Sequence, residues 1–225
     1  MLDKAVAILQ AVGEQPQPLG ELSQRTGIPR PTAHRLAVAL ESHAMLQRDP
    51  LGRFSIGPGV RALAASQPDP LAQSAGPVLE RLRDRTGESC QVYRRHGAER
   101  ICIASAERVS GLRDTVPTGS VLPMTAGSAA QVLLAWDNAA EADPILSQAS
   151  FPAATLAAVR DRGWAASVAE REPGVASVSA PIRDPAGAVI AAISVSGPVE
   201  RLGPDPGALF AADVRTAAEA LTPAV

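Results

Sequence analysis

Apolar residues in the first sixty positions recur at the three-to-four spacing of helices. Leu2, Val6 and Leu9, widened by Ala5, Ile8 and Val12, make one apolar face, which predicts an amphipathic helix over residues 2–12. Gly13 is expected to end it, with Pro16 and Pro18 barring continuation. A second helix is predicted over about 19–25. A third is predicted over about 31–43, with Pro31 acceptable in its first turn. Leu19, Leu22 and Ile28 are spaced to bury against Leu36, Val38 and Leu40, with Gly27 in the tight turn between the helices. Arg30, Thr32, His34 and Arg35 are then left near the exposed start of the third helix. A helix-turn-helix offers side chains to the DNA major groove in this way.

The pattern then changes. Two short strand-like runs flank Asp49-Pro-Leu-Gly52, a strong turn signal. A hairpin directly after a recognition helix is a wing, and it would carry Arg48 and Arg53 toward phosphates or the minor groove. Gly57-Pro-Gly59 closes this module. A short Ala-rich helix over 60–66 and a hinge at 67–70 follow, then a longer helix over about 71–86 stopped by Gly87. Strands are predicted over 89–96, 100–106 and 112–116. A helix opens at the segment beginning with Pro123, and helical segments cover 139–163. A fourth and a fifth strand run over 174–182 and 189–196, joined by a turn at Asp184-Pro-Ala-Gly187, and a last helix spans about 206–221. Helices interleaved with hairpin-linked strands imply an α+β fold with an antiparallel sheet. The expected organisation is a winged helix-turn-helix over 1–57, a helical linker and hinge over 58–70, and a second domain over 71–225.

Composition narrows the partners. Apolar residues make up 46% of the 225 and charged residues 20%, which suits a folded protein, while 3% aromatics cannot build the stacking platforms of a single-strand binder. The sequence contains no apolar run long enough to span a bilayer, so the expected location is cytoplasmic, without membrane association. The net charge of −2 is unevenly spread: residues 1–57 hold six basic and five acidic groups, and the remainder 15 basic and 18 acidic. A reading head this weakly basic depends on well-placed arginines and on two copies acting together.

Five motifs in order resemble the IclR family of bacterial transcription regulators. They are Arg30-Pro-Thr-Ala-His-Arg-Leu36, Gly52-Arg-Phe54, Pro123-Met-Thr-Ala-Gly127, Glu170-Arg-Glu-Pro-Gly-Val175 and Ala191-Ala-Ile-Ser-Val-Ser-Gly-Pro198. The wording of Gly111-Leu-Arg-Asp-Thr-Val-Pro117 and of residues 171–179 is similar to the actinobacterial branch controlling leucine and related amino-acid biosynthesis. The resemblance implies a ligand-responsive regulator, a homodimer or dimer of dimers on a palindromic double-stranded operator. It places DNA contacts at Arg30, Pro31, Thr32, His34, Arg35 and Arg53. It also implies a GAF-like effector domain with a pocket between sheet and helix, lined by Ser128 and Ala129 at a helix start, Val175 and Ser177 on the fourth strand, and Ser194 and Ser196 on the fifth. Two positions depart from some relatives: an acidic residue is Ser167 here and a cysteine is Ser177.

Converging hydroxyls and free backbone N–H groups suit a small carboxylate. Asp114, sharing a predicted strand face with Leu112 and Val116, would add a partner for an ammonium, which together describes an amino-acid effector. The plainer alternative pairs Asp114 with Arg113 or Arg108 at the surface. No catalytic residues, metal site or cofactor are expected: His96 is the only histidine after residue 43, and the serines lack a triad. The competing function is a small-molecule or thiol-redox sensor acting through protein contacts, which would need an exposed, acidic Cys90 or Cys102.

Overall fold

The computed structural model describes residues 1–65 and 69–222, so residues 67 and 68, the first half of the hinge expected at 67–70, lie outside the described residues. The chain divides into two compact units, Met1–Pro68 and Asp69–Val225.

The first unit holds helices α1 (Leu2–Glu14), α2 (Leu19–Thr26) and α3 (Arg30–Ser42), strands β1 (Leu46–Arg48) and β2 (Phe54–Ile56), and helix α4 (Pro58–Ala65). Its core gathers Ile8, Val12, Leu22, Ile28, Ala33, Ala37, Leu46 and Phe54. Gly13 does not end α1. The helix runs through it to Glu14 and stops where Gln15 turns extended before Pro16, since one interior glycine costs only about 1 kcal/mol. Val38, expected in the core, is largely exposed. The buried stripe of α3 runs through Ala33 and Ala37, with Leu36 and Leu40 beside it, and Val38 falls off that face. Gly27 caps α2 at φ 66, the left-handed conformation that lets α3 turn away.

The wing is tied down at both ends. Gln17 and Phe54 exchange backbone hydrogen bonds (3.0 and 2.8 Å), and the buried Gln17 amide donates to the Ala11 carbonyl. At the exit, Gly57 N–H donates to Met45 O and Gly59 N–H to Ala44 O, both at 2.8 Å. A Cβ at Gly57 would stand 2.2 Å from Ala44 O, so only glycine fits. These bonds join the start of α4 to the reading head. The first unit therefore continues past the limit expected at residue 57, and α4 is part of it rather than of a separate linker.

The second unit begins with α5 (Pro70–Thr86), capped by Asp69, whose carboxylate accepts from Leu71 N–H at 3.0 Å and Ala72 N–H at 3.4 Å. Then come β3 (Ser89–His96), β4 (Glu99–Ala106), β5 (Val121–Pro123), α6 (Ser128–Leu134), α7 (Ala139–Leu146), α8 (Ala154–Arg162), β6 (Ala165–Val168), β7 (Val175–Arg183), β8 (Val189–Pro198), α9 (Val199–Leu202) and α10 (Pro206–Leu221). One six-stranded sheet runs β5-β4-β3-β8-β7-β6, antiparallel at every pairing. Alternation along the strands divides its faces. Cys90, Val92, Val178, Ile182, Ile193 and Val195 pack with α5 and α10. Tyr93, Cys102 and Ala192 face α6 and α8.

Two expected elements differ. Residues 112–116 form no strand: they lie in an irregular segment after Gly111, and Leu112 is exposed while Val116 is buried. The alternating pattern found no ladder partner. Cys102 instead exchanges backbone bonds with Gly119 and Ser120 further on. Pro123 ends a short strand rather than opening a helix, and α6 starts at Ser128. The short edge strands β5 and β6 were not anticipated.

Candidate functional site

In the reading head, α3 begins directly after Pro29, so its first turn is Arg30, Pro31 and Thr32. Arg30, Pro31, His34 and Arg35 are exposed and Thr32 is half-buried. Neither Arg30 nor Arg35 makes an ion pair among the described residues, and their charges face outward. The wing arginines differ. Arg53 Nε donates to Asp49 at 2.6 Å. The Arg53 N–H bond to the Asp49 carboxylate is the main cause that holds that carboxyl below its usual range. Arg48 pairs with Glu41 at 3.2 Å and lies over the Phe54 ring. Of these four arginines, the two without an ion pair among the described residues are thus on the recognition helix, and a wing contact from Arg53 requires it to exchange its carboxylate for a phosphate.

In the second unit, strand register turns scattered serines into a cluster. Ser177 stands opposite Ser167 on β6 and Ser196 on β8, and Ser179 stands opposite Ser194. Ser128, at the start of α6, reaches over them: its hydroxyl bonds those of Ser177 and Ser179, each at 2.7 Å. Ser167 and Ser177 join at 2.9 Å, Ser179 donates to Ser194 at 3.0 Å, and Ser196 donates to Gln91 at 3.1 Å. A small cavity sits on this network. All seven expected ligand positions line it: Ser128 and Ala129, Val175 and Ser177, Ser194 and Ser196, and Asp114. Its open space is about 20 Å³, room for roughly one water. A roomier concavity of about 630 Å³ lies beside α10 and the β7–β8 turn, lined by Arg183, Asp184, Arg215 and Glu219, and holds none of the expected ligand positions.

Two expectations for this cavity change. Two backbone N–H groups at the start of α6 are engaged, Gly127 N–H donating to Glu170 at 2.9 Å and Ser128 N–H to Ser167 at 3.1 Å, which leaves those of Ala129 and Ala130 as the free ones among the described residues. Asp114 is neither a free ammonium acceptor nor paired with Arg113 or Arg108. Both its oxygens accept from Arg171 Nη2, at 2.7 and 2.8 Å, and the pair is mostly buried. Burial pulls the Arg171 guanidinium down, but the Asp114 carboxylate more than reverses this and holds it above its ordinary value.

Five lining residues lie outside the expected set: Tyr93, Arg100, Gly127, Ser167 and Arg171. Arg100 had a legible signal, since it shares the inward face of β4 with Cys102 at the two-residue period. The approach of Arg171 to Asp114, 57 positions apart, had none. The cysteines do not support the redox alternative. Both are buried and free, on opposite faces of the sheet, and burial pushes both thiols up to about 12.

A reading head joined to a separate sheet domain with an enclosed polar cavity defines a ligand-responsive DNA-binding regulator. Comparison with known proteins gives the family. Residues 1–50 match the IclR helix-turn-helix domain and residues 64–222 the bacterial transcriptional regulator IclR C-terminal domain. The chain belongs to the IclR family of transcriptional regulators. It is 30% identical over 222 residues to the HTH-type transcriptional repressor AllR of Escherichia coli strain K12, covering 91% of this chain and 82% of AllR. It is 27% identical over 220 residues to the glycerol operon regulatory protein of Streptomyces griseus, covering 91% and 87%. Its fold is that of an IclR homologue from Microbacterium hydrocarbonoxydans solved with 4-hydroxybenzoate, at a TM-score of 0.85 and 24% identity, covering 98% of this chain and 97% of that one. The relatives are named as regulators and repressors, not as enzymes. Among the described residues no helix is long and apolar enough to cross a membrane, and no group of three metal-ligating side chains occurs.

Proposed function

We propose that this protein is a cytoplasmic regulator that reads a palindromic operator as a homodimer or dimer of dimers and responds to a small organic carboxylate. Arg30, Pro31, Thr32, His34 and Arg35 enter the major groove, and Arg53 approaches the backbone from the wing. The observation that carries the DNA reading is the outward, ion-pair-free placement of Arg30 and Arg35 on the first turns of α3.

The serine network beneath α6 supports an effector site, and the 4-hydroxybenzoate bound by the Microbacterium relative is a precedent for a carboxylate effector. The amino-acid form of this proposal is weakened by Asp114, which is already neutralised by Arg171. The similarity of residues 111–117 and 171–179 to the actinobacterial branch supports a target among leucine and related amino-acid biosynthesis genes. That assignment concerns the regulated genes and does not require an amino acid in the cavity. An effector alters operator binding only through a difference in its affinity for the two states of the regulator. The test is a duplex-binding titration of the full-length protein with and without candidate carboxylates. Unchanged affinity at saturating ligand for every carboxylate that binds would remove the effector role.

A further inference from the structure

We infer that residues 113–117 form a flap beside the serine-lined cavity, held shut by the Asp114–Arg171 pair, and that the cavity opens to solvent when this pair parts. This deepens the effector-site reading above, on which the use of the flap rests. Asp114 divides two spaces. On one side it borders the cavity, and on the other an open concavity of about 370 Å³ that Leu112, Thr115 and Pro173 also line. The inner space holds roughly one water, so any larger occupant must displace a wall.

Most of that wall is tied into the fold. β3, β8 and β7 are interior strands of the sheet. The loop carrying Arg171 is fastened to α6 through Glu170, which accepts from Gly127 N–H at 2.9 Å and Gln131 Nε2 at 2.8 Å. The stretch 113–117 hangs instead between two pinned points. Upstream, Leu112 O accepts from Arg201 Nη2 at 2.8 Å, and that guanidinium is forked on the buried Glu88 carboxylate at 2.5 and 2.7 Å. Downstream, Gly119 N–H donates to Cys102 O at 2.7 Å. Between them the backbone of 113–115 makes no hydrogen bond among the described residues. Arg113 pairs only with Glu107 of the same irregular stretch, and Thr115 is exposed. The Asp114–Arg171 pair and the buried Val116 side chain hold the stretch down. Segments with so few backbone bonds open at lower free energy than ladder strands. Lifting this one carries Asp114 into the outer concavity, where water solvates the parted charges.

The chain carries its own reporter. Cys102 Sγ lies under the flap and donates to Val116 O at 3.6 Å. Cys90 sits on the opposite face of the sheet, against α5 and α10. Burial raises both thiols alike, so a difference in their reactivity reports access.

The test is N-ethylmaleimide labelling of the native protein, with each cysteine followed by peptide mass spectrometry. In the wild type both should react slowly, Cys102 at least about tenfold faster than Cys90, and low urea should accelerate only Cys90. Asp114→Asn and Arg171→Gln cut the pair and should speed Cys102 by at least about tenfold more while leaving Cys90 unchanged. Arg171→Lys keeps the pair and should stay within about threefold of the wild type. Equal rates for the two thiols in the wild type overturn the inference. So does a folded cut variant that speeds both thiols alike or neither. If tryptophan fluorescence shows the cut variants unfolded, the wild-type ratio decides alone. No effector enters this assay, so failure of every carboxylate in the duplex titration would remove the effector role and leave the flap standing, whereas equal thiol rates would remove the flap and leave the effector role.

Discussion

Asp114→Ala tests the cavity through its stability. The substitution leaves Arg171 mostly buried, with only the exposed Glu172 carboxylate, 2.7 Å from Nη1, to balance it. Removing one partner of a buried ion pair costs about 3–5 kcal/mol. Glu172 recovers part of that, which places the loss near the lower end, at about 3 kcal/mol. For a unit of this size each kcal/mol moves the melting temperature by about 2–4 °C, so the expected drop is about 6–12 °C. Both tryptophans, Trp136 and Trp164, lie in the second unit, so fluorescence-detected urea unfolding reports it separately from the reading head. Arg171→Ala should cost a similar amount, and the double variant little more than either single one. The coupling energy would then be about 2–3 kcal/mol. Losses that add to within about 0.5 kcal/mol would show that the two side chains do not form a closed pair, and the case against an ammonium site would go with it.

Further outcomes follow from other residues. Arg35→Ala should weaken operator binding by about 1–3 kcal/mol in a gel-shift titration without moving the melting temperature, and unchanged affinity would remove Arg35 from the contact surface. Gly57→Ala should destabilise the reading head, because the new Cβ meets Ala44 O at 2.2 Å. The signature is lost operator binding with the tryptophan-detected transition unmoved, and full binding would contradict the close approach. Cys90 and Cys102 should resist a thiol reagent in the native protein and react on unfolding. Their thiols ionise near 9 in the unfolded chain and near 12 when folded, so the unfolded state gives up protons first and stability should fall as pH rises from about 9 to 12. Rapid native labelling, or stability unchanged over that window, would refute their burial.

The elements legible in the sequence were those with a strong period and a chemical stop. Residues 89–96 and 206–221 follow their predicted bounds because Gly87 and Pro206 punctuate them. Residues 112–116 alternate as a strand does, yet a strand exists only when a neighbour completes its hydrogen bonds, and that neighbour is a three-dimensional fact. The same limit applies to the cavity. Ser194 and Ser196 share a face by their spacing alone. That Ser177 stands across from Ser196, and Ser179 from Ser194, depends on register set by the whole sheet. Arg100 was readable as a charged residue at an inward position. The pairing of Asp114 with Arg171 was not, because that depends on every element packed around them.

Whether the first turns of α3 read DNA is decided by selecting duplexes from a random library with the protein and then titrating salt against the enriched sequence. A two-fold symmetric site should emerge, with half-sites about one helical turn, or a multiple of it, apart. Affinity should fall linearly on a log–log salt plot, with the slope reduced by about one when Arg35 is removed. Failure to enrich any sequence, or binding indifferent to both salt and Arg35, would contradict that role for α3.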